Sequence, residues 1–292
     1  MSREENQMNG RTVRLKDGGE MPALGQGTWR MGGHKGREEQ EIGSIRLGIS
    51  LGMTLLDTAE MYGEGAAERM LGKAIAPFER DELFLVSKVY PWNAGRANIF
   101  ESCENSLRRL GTDYLDLYLL HWPGSVPLAE TVDCMERLAA EGKILRWGVS
   151  NFDTDDMERL WAVPGGDKCA VDQVLYHLGS RGVEYGLLPW LRQHETAMMA
   201  YCPVAQGGAL RRQLLGNKVL REAADAHGIT VIQLLLAFIL RQKGVAAIPK
   251  AGTPRHTREN AEAAEIRLSD AEWERIGAEF PAPTHKMPLD IQ

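Results

Sequence analysis

What most constrains this chain is a repeated alternation of short apolar runs with longer segments of helical spacing. The apolar runs fall at 24–29, 53–57, 83–89, 115–121, 144–150, 169–175, 197–202 and 245–250. Between them lie segments with charged faces at 38–51, 67–76, 98–110, 128–141, 154–163, 183–193, 230–241 and 254–264. Strict alternation of strand and helix predicts a parallel sheet, because parallel neighbours can only be joined by a crossover. Eight such units within about 250 residues fit a closed (β/α)8 TIM barrel, in the α/β class, better than an open sheet. The runs start at near-even intervals with one exception: 48 residues separate the starts at 197 and 245. That gap holds QGGALRRQLLGNK at 206–218, read as a Gly-rich insertion. A long insertion after a strand predicts a loop over an active site.

Two elements lie outside the repeat. TVRL and MPAL flank Asp17-Gly18-Gly19, which predicts an N-terminal β-hairpin. At the other end, Ser269 followed by Glu272 forms a capping box for an extra C-terminal helix over 269–280, ahead of a Pro-rich tail. No shift in composition divides the sequence, so 1–292 reads as one domain, with 1–10 (MSREENQMNG) expected as a flexible N-terminus.

Several classes of function are disfavoured. A net charge of −6 argues against nucleic acid as a partner, since phosphate contacts need a dense Lys/Arg surface. Cys103, Cys134, Cys169 and Cys202 form no C-x-x-C pair and suit a reducing, cytoplasmic setting. The polar start is no signal peptide, and the most apolar window, 231–240, is too short to span a bilayer, so no membrane partner is expected.

In such barrels functional groups gather where strands meet the loops that follow them. Those ends carry Trp29, Asp57, Lys88, His121, Ser150 with Asn151, Gln173, Tyr201 and Lys250, and Tyr62 follows Asp57 in LLDTAEMY. Tyrosine titrates at about 10, so it gives up a proton reluctantly at neutral pH. A nearby ammonium, here Lys88, is expected to lower that value and suit Tyr62 to general acid catalysis. Asp57 would keep Lys88 charged and in place, and His121 would add a donor to a carbonyl oxygen. Taken singly, Asp57 can cap a turn, Tyr62 can pack over the mouth, Lys88 can be solvated and His121 can be structural. Taken together, they form a site that protonates an oxygen while something else attacks the carbon.

No metal site and no G-x-S-x-G elbow is present in the sequence. GEGAAE at 63–68 begins like a dinucleotide fingerprint but carries Glu68 in place of the third glycine. It reads as a glycine-rich turn before a helix. Hydride from a nicotinamide is the natural complement to a group that protonates an oxygen.

Ordered segments run nearly end to end: GTW (27–29), LLDTAEMYG (55–63), SKV (87–89), DLYLLHWP (116–123), GVSNF (148–152), VDQVLYH (171–177), YCPVAQGG (201–208) and IPKAGTPRHTREN (248–260). With these the chain resembles an aldo-keto reductase of the single-barrel bacterial type. The resemblance implies NADPH-dependent reduction of aldehydes and ketones to alcohols, with Asp57, Tyr62, Lys88 and His121 as catalytic tetrad and Tyr62 as general acid. It implies NADPH bound across the barrel mouth. Tyr201 would stack on the nicotinamide; Ser150, Asn151 and Gln173 would bind its carboxamide. Gly27, Thr28, Trp29 and Asp57 would line that end.

By the same resemblance, Pro203, Val204, Gln206 and Gly207 would pass over the pyrophosphate. Lys250, Ala251, Gly252 and Thr253 would hold the 2′-phosphate, with Glu259 and Asn260 facing the adenine. His256 stands where many relatives carry arginine and contacts phosphate more weakly, so NADH is a secondary cofactor expectation. Trp29, Tyr62, Trp92, His121 and Trp122 are expected to surround a small carbonyl substrate, although Trp92 fits rim packing equally well. The expected assembly is a monomer or weak oligomer. A second reading keeps the fold but makes the chain a non-catalytic NADP(H)-binding sensor or regulatory subunit.

Overall fold

A computed structural model describes residues 11–34 and 36–291. The expected flexible segment at 1–10 lies outside the described residues. A two-stranded antiparallel hairpin opens the fold, β1 (Thr12–Arg14) with β2 (Glu20–Pro22), and Val13 faces Met21 across it. Both are buried, against the start of the barrel.

Eight parallel strands then follow: β3 (Gly25–Gly27), β4 (Leu55–Asp57), β5 (Phe84–Val89), β6 (Leu117–Leu120), β7 (Trp147–Ser150), β8 (Val171–Leu175), β9 (Ala197–Tyr201) and β10 (Val245–Ala247). Each pairs with its sequence neighbours. A bridge between Leu24 and Ala247 and the Gly27 N–H donating to Pro249 O at 3.1 Å join β10 to β3 and close the barrel. Strands enclosed on both faces must be apolar throughout, which is why they read as runs rather than alternations.

Around the barrel run α1 (Glu38–Ser50), α2 (Ala66–Ile75), α3 (Ile99–Leu110), α4 (Leu128–Ala140), α5 (Thr154–Trp161) and α6 (Leu187–Gln193). They are followed by α7 (Gly208–Gly216), α8 (Lys218–Ala226), α9 (Val231–Leu240), α10 (Pro254–Glu262) and α11 (Asp270–Glu279). The capping box at α11 forms: Glu272 N donates to Ser269 Oγ and Ser269 N to Glu272 Oε2. GEGAAE is a turn into α2, with Gly65 at φ +80 as its N-cap.

Two expectations change. The helix expected over 183–193 is split into a short 3-10 turn, Gly182–Glu184, and α6. Pro189 is the reason. It has no N–H to give and its ring clashes one turn back, so it is tolerated only in the first turn of a restarted helix. The insertion at 206–218 is not a loop but forms α7 and enters α8. ALRRQLL holds good helix formers with no β-branched residue, Leu214 is buried, and Asn217 caps α8 by accepting from Leu220 N at 3.1 Å. Gly208, at φ +72, makes the turn into it. Among the described residues no single helix is long and apolar enough to cross a membrane.

Candidate active site

Asp57 ends β4 and Lys88 lies near the end of β5, so neighbouring strands deliver them side by side. Lys88 Nζ lies 2.8 Å from Asp57 Oδ1, 2.8 Å from Oδ2 and 2.8 Å from Thr58 O. It also donates to the Tyr62 hydroxyl at 3.2 Å. The lysine is fully buried. Burial pulls its ammonium below the usual lysine range, and the Asp57 carboxylate pulls it back.

Tyr62 follows from the turn after β4 and lines the cavity wall. Its phenol is pushed well above the usual value, first by burial and then by Asp57. This reverses the lowering expected from Lys88. The ammonium is shared with a carboxylate, so the phenol meets a nearly neutral pair, and desolvation of the phenolate decides the direction.

His121 follows β6 and sits edge-on to Tyr62, with ring centroids 5.8 Å apart. Its Nδ1 is buried without a hydrogen-bond partner. Burial, with Lys88 adding to it, pulls its pKa down to about 2. The imidazole is therefore neutral, with one N–H to give.

Polar groups from later strands complete the wall. Gln173 Nε2 donates to Asp57 Oδ2 at 2.7 Å. Ser150 Oγ donates to Gln173 O at 2.8 Å. Asn151, in the left-handed region at φ +61, gives its amide to His121 O at 3.1 Å and accepts from the Tyr201 hydroxyl at 2.8 Å. These bonds hold the open side of the site in one arrangement.

The groups open onto a cavity of about 280 Å³. Gly27, Trp29, Asp57, Tyr62 and His121 line it, as do Ser150, Asn151, Gln173, Tyr201, Pro203, Val204, Gln206 and Lys250. Gly27 has no room for a side chain, since a Cβ there would meet Ile248 O at 2.9 Å. Thr28 is buried behind the wall, its Oγ1 donating to Asp57 O at 3.0 Å.

Other expected residues lie outside that lining. Trp92 is 59% exposed and stacks on Tyr90, while Trp122 leans on His121 at 4.9 Å between ring centroids. Together they make an aromatic step on the rim. Ala251, Gly252, Thr253, His256, Glu259 and Asn260 follow Lys250 along the chain into α10, and Gly207 leads into α7. Thr253 caps α10, accepting from His256 N at 3.3 Å. Glu259 is engaged by Arg255 at 2.8 Å.

Arg30 and Arg211 also line the cavity, beside Met61, Cys202, Ala205, Ile248 and Pro249. No sequence motif gives any of them a site role. Arg30 lies over the Trp29 ring, 4.5 Å from its centroid, and Arg211 donates to Ala205 O at 3.1 Å. A basic residue next to GTW, and another inside the Gly-rich insertion, were the available signals. Among the described residues, no cluster of ligating side chains could hold a metal.

A closed eight-stranded barrel with a buried Lys–Asp pair set against a tyrosine and a neutral histidine defines a class: (β/α)8 barrels with a cluster of titratable groups at the strand ends. Comparison with known proteins narrows it. The chain belongs to the aldo/keto reductase family, whose model matches residues 23–278. It is 55% identical over 271 residues to methylglyoxal reductase YeaE of Escherichia coli K12, covering 93% of this chain and 95% of that protein. It is 35% identical over 269 residues to glyoxal reductase of Bacillus subtilis, covering 91% and 92%. A crystal structure of an aldo/keto reductase from Klebsiella pneumoniae in complex with NADP and acetate superposes with a TM-score of 0.94 at 54% identity, covering 96% of this chain and 99% of that one.

Proposed function

We propose that this protein is an NADPH-dependent carbonyl reductase and that short α-oxoaldehydes such as methylglyoxal are among its substrates. The observation that carries the reading is the Tyr62 hydroxyl, 3.2 Å from a buried lysine that is itself held by Asp57. The names of the two relatives support the substrate class.

The residues present suit the cofactor. Ser150, Asn151 and Gln173 offer amide and hydroxyl groups to a carboxamide, with Tyr201 beside them. An ionised Asp57 accepts only, so Gln173 must turn its NH2 toward Asp57, leaving its oxygen as the amide's free acceptor. Arg30, Arg211 and Lys250 place three cations on the wall for the phosphates, in a chain of negative net charge. Thr253, His256, Glu259 and Asn260, which follow Lys250 at the cap and along α10, would meet the adenosine end.

Bound NADPH would supply the hydride to the carbonyl carbon. Tyr62 gives its proton to the carbonyl oxygen. A high phenol pKa is no obstacle: Tyr62 stays protonated across the neutral range, and an alkoxide is far more basic than a phenolate. Lys88 stabilises the phenolate that forms, and Asp57 holds Lys88 in place. Neutral His121 gives one N–H to the oxygen and orients it. Trp29 lines the cavity, and the Trp92–Trp122 step on the rim would flank the substrate. All of these groups come from one chain, so a monomer suffices, and we place it in the cytoplasm, where reduced nicotinamide is regenerated.

Oxidation of NADPH and of NADH, followed with methylglyoxal, glyceraldehyde and nitrobenzaldehyde, tests the reading. Tyr62→Phe should lower the rate by about a hundredfold or more while still binding NADP+. A Tyr62→Phe protein turning over at the parent rate would sink the mechanism. NADPH binding without turnover on any of these carbonyls would favour the sensor reading instead.

A further inference from the structure

Glu68 is a carboxylate with no solvent contact that the chemistry above does not use. It lies in the first turn of α2, just beyond Tyr62. A buried carboxylate is costly unless donors surround it, and here two do. Ser87 Oγ donates to Oε1 at 2.6 Å, and Arg109 Nε donates to Oε2 at 2.5 Å.

Ser87 directly precedes Lys88 in β5, so the two side chains leave opposite faces of the strand. Lys88 points into the barrel and Ser87 toward the helices. Arg109 also presses on the turn that carries Tyr62: a Cβ at Gly65 would meet Arg109 Cδ at 2.5 Å. Ala67 N donates to Tyr62 O at 3.1 Å, joining that turn to the residue before Glu68.

We propose that Glu68 is a positioning residue which, through Ser87 and Arg109, clamps the Tyr62 turn to the Lys88 strand and so sets the distance between the two groups. The proposal rests on Tyr62 being the proton donor. The third-glycine position of GEGAAE thus has a task unrelated to phosphate binding.

The test is single-turnover NADPH oxidation with methylglyoxal, run on the parent, Glu68→Ala, Ser87→Ala and Glu68→Gln. NADP+ affinity from fluorescence titration, melting temperature and backbone amide exchange accompany it. Parent turnover answers the functional reading; the ratio of variant to parent answers the clamp. Both alanine variants should react about tenfold to a hundredfold more slowly, at temperatures where they remain folded. Their NADP+ affinity should stay within about twofold of the parent. Amide exchange across 62–67 should rise in both, a readout independent of turnover. Glu68→Gln keeps an oxygen for Ser87 but turns an NH2 toward Arg109, so it should recover only part of the loss. Alanine variants within about threefold of the parent rate would overturn the clamp whatever their melting temperatures, as would an equal fall in rate and NADP+ affinity. Unchanged exchange across 62–67 would overturn it too.

Discussion

Lys88 Nζ stands 2.8 Å from each carboxylate oxygen of Asp57, and both residues are buried. A buried ion pair adds little net stability, but breaking it strands a charge. Asp57→Asn should therefore cost about 3–5 kcal/mol of stability, measured by urea unfolding. Since the same change frees Lys88 from its partner beside Tyr62, turnover should fall with it. An Asp57→Asn protein as stable as the parent would show that the pair is not holding a charge.

His121 should leave no mark on the pH–rate profile in the neutral range, because its ring stays neutral down to about 2. Its effect on stability has a definite sign. The folded pKa lies below the unfolded value of about 6.5, so the unfolded chain takes up a proton that the native ring refuses, and stability falls as pH drops below that value. His121→Asn should lose less stability than the parent on acidification while slowing turnover by about a hundredfold. Melting curves across the acid range, with steady-state rates, check both.

The cations on the cavity wall should divide by role. Lys250→Met should weaken NADP+ binding by about tenfold, the weight of one charge-assisted contact, with little effect on NAD+. Arg30→Met and Arg211→Met should weaken both cofactors alike, since both dinucleotides carry a pyrophosphate. Fluorescence titration with the two nucleotides separates these outcomes, and equal effects on NAD+ and NADP+ in Lys250→Met would remove it from the 2′-phosphate.

Asp172 should destabilise the protein as pH rises. It precedes Gln173 on β8, faces the other way, and is buried with no side-chain partner, the Phe152 backbone alone reaching toward its oxygens. Burial pushes its carboxyl well above the usual range, with the Phe152 backbone offsetting only part of that. An acid whose folded pKa exceeds its unfolded value of about 3.9 weakens the fold progressively at every pH between the two. Asp172→Asn should raise Tm by about 2–4 °C near neutral pH, a gain that fades toward about pH 4. A gain that persists undiminished in acid would point to packing rather than to the charge.

Much of this could be read in the chain because it is local. The strands at 55–57, 84–89, 171–175 and 197–201 fall inside apolar runs, and the turn at Gly65 and the capping box at Ser269 follow from neighbouring residues. The exceptions have local reasons that a coarse pattern overlooks. Pro189 restarts a helix, and ALRRQLL overrides the glycines around it. Arg30 and Arg211 are not legible in the sequence, because a cation beside a motif looks the same whether it faces solvent or a cavity.

The sequence by itself determined the eight-fold alternation, the ring of polar groups at the strand ends and the family, since each is written in residue order and spacing. Only the tertiary structure decided which groups meet and what their surroundings do to them. Glu68 reaches Ser87 and Gln173 reaches Asp57 across 19 and 116 residues. The raised phenol of Tyr62 and the neutral ring of His121 arise from desolvation, which depends on what lies on every side of a group and has no counterpart in the order of residues along the chain.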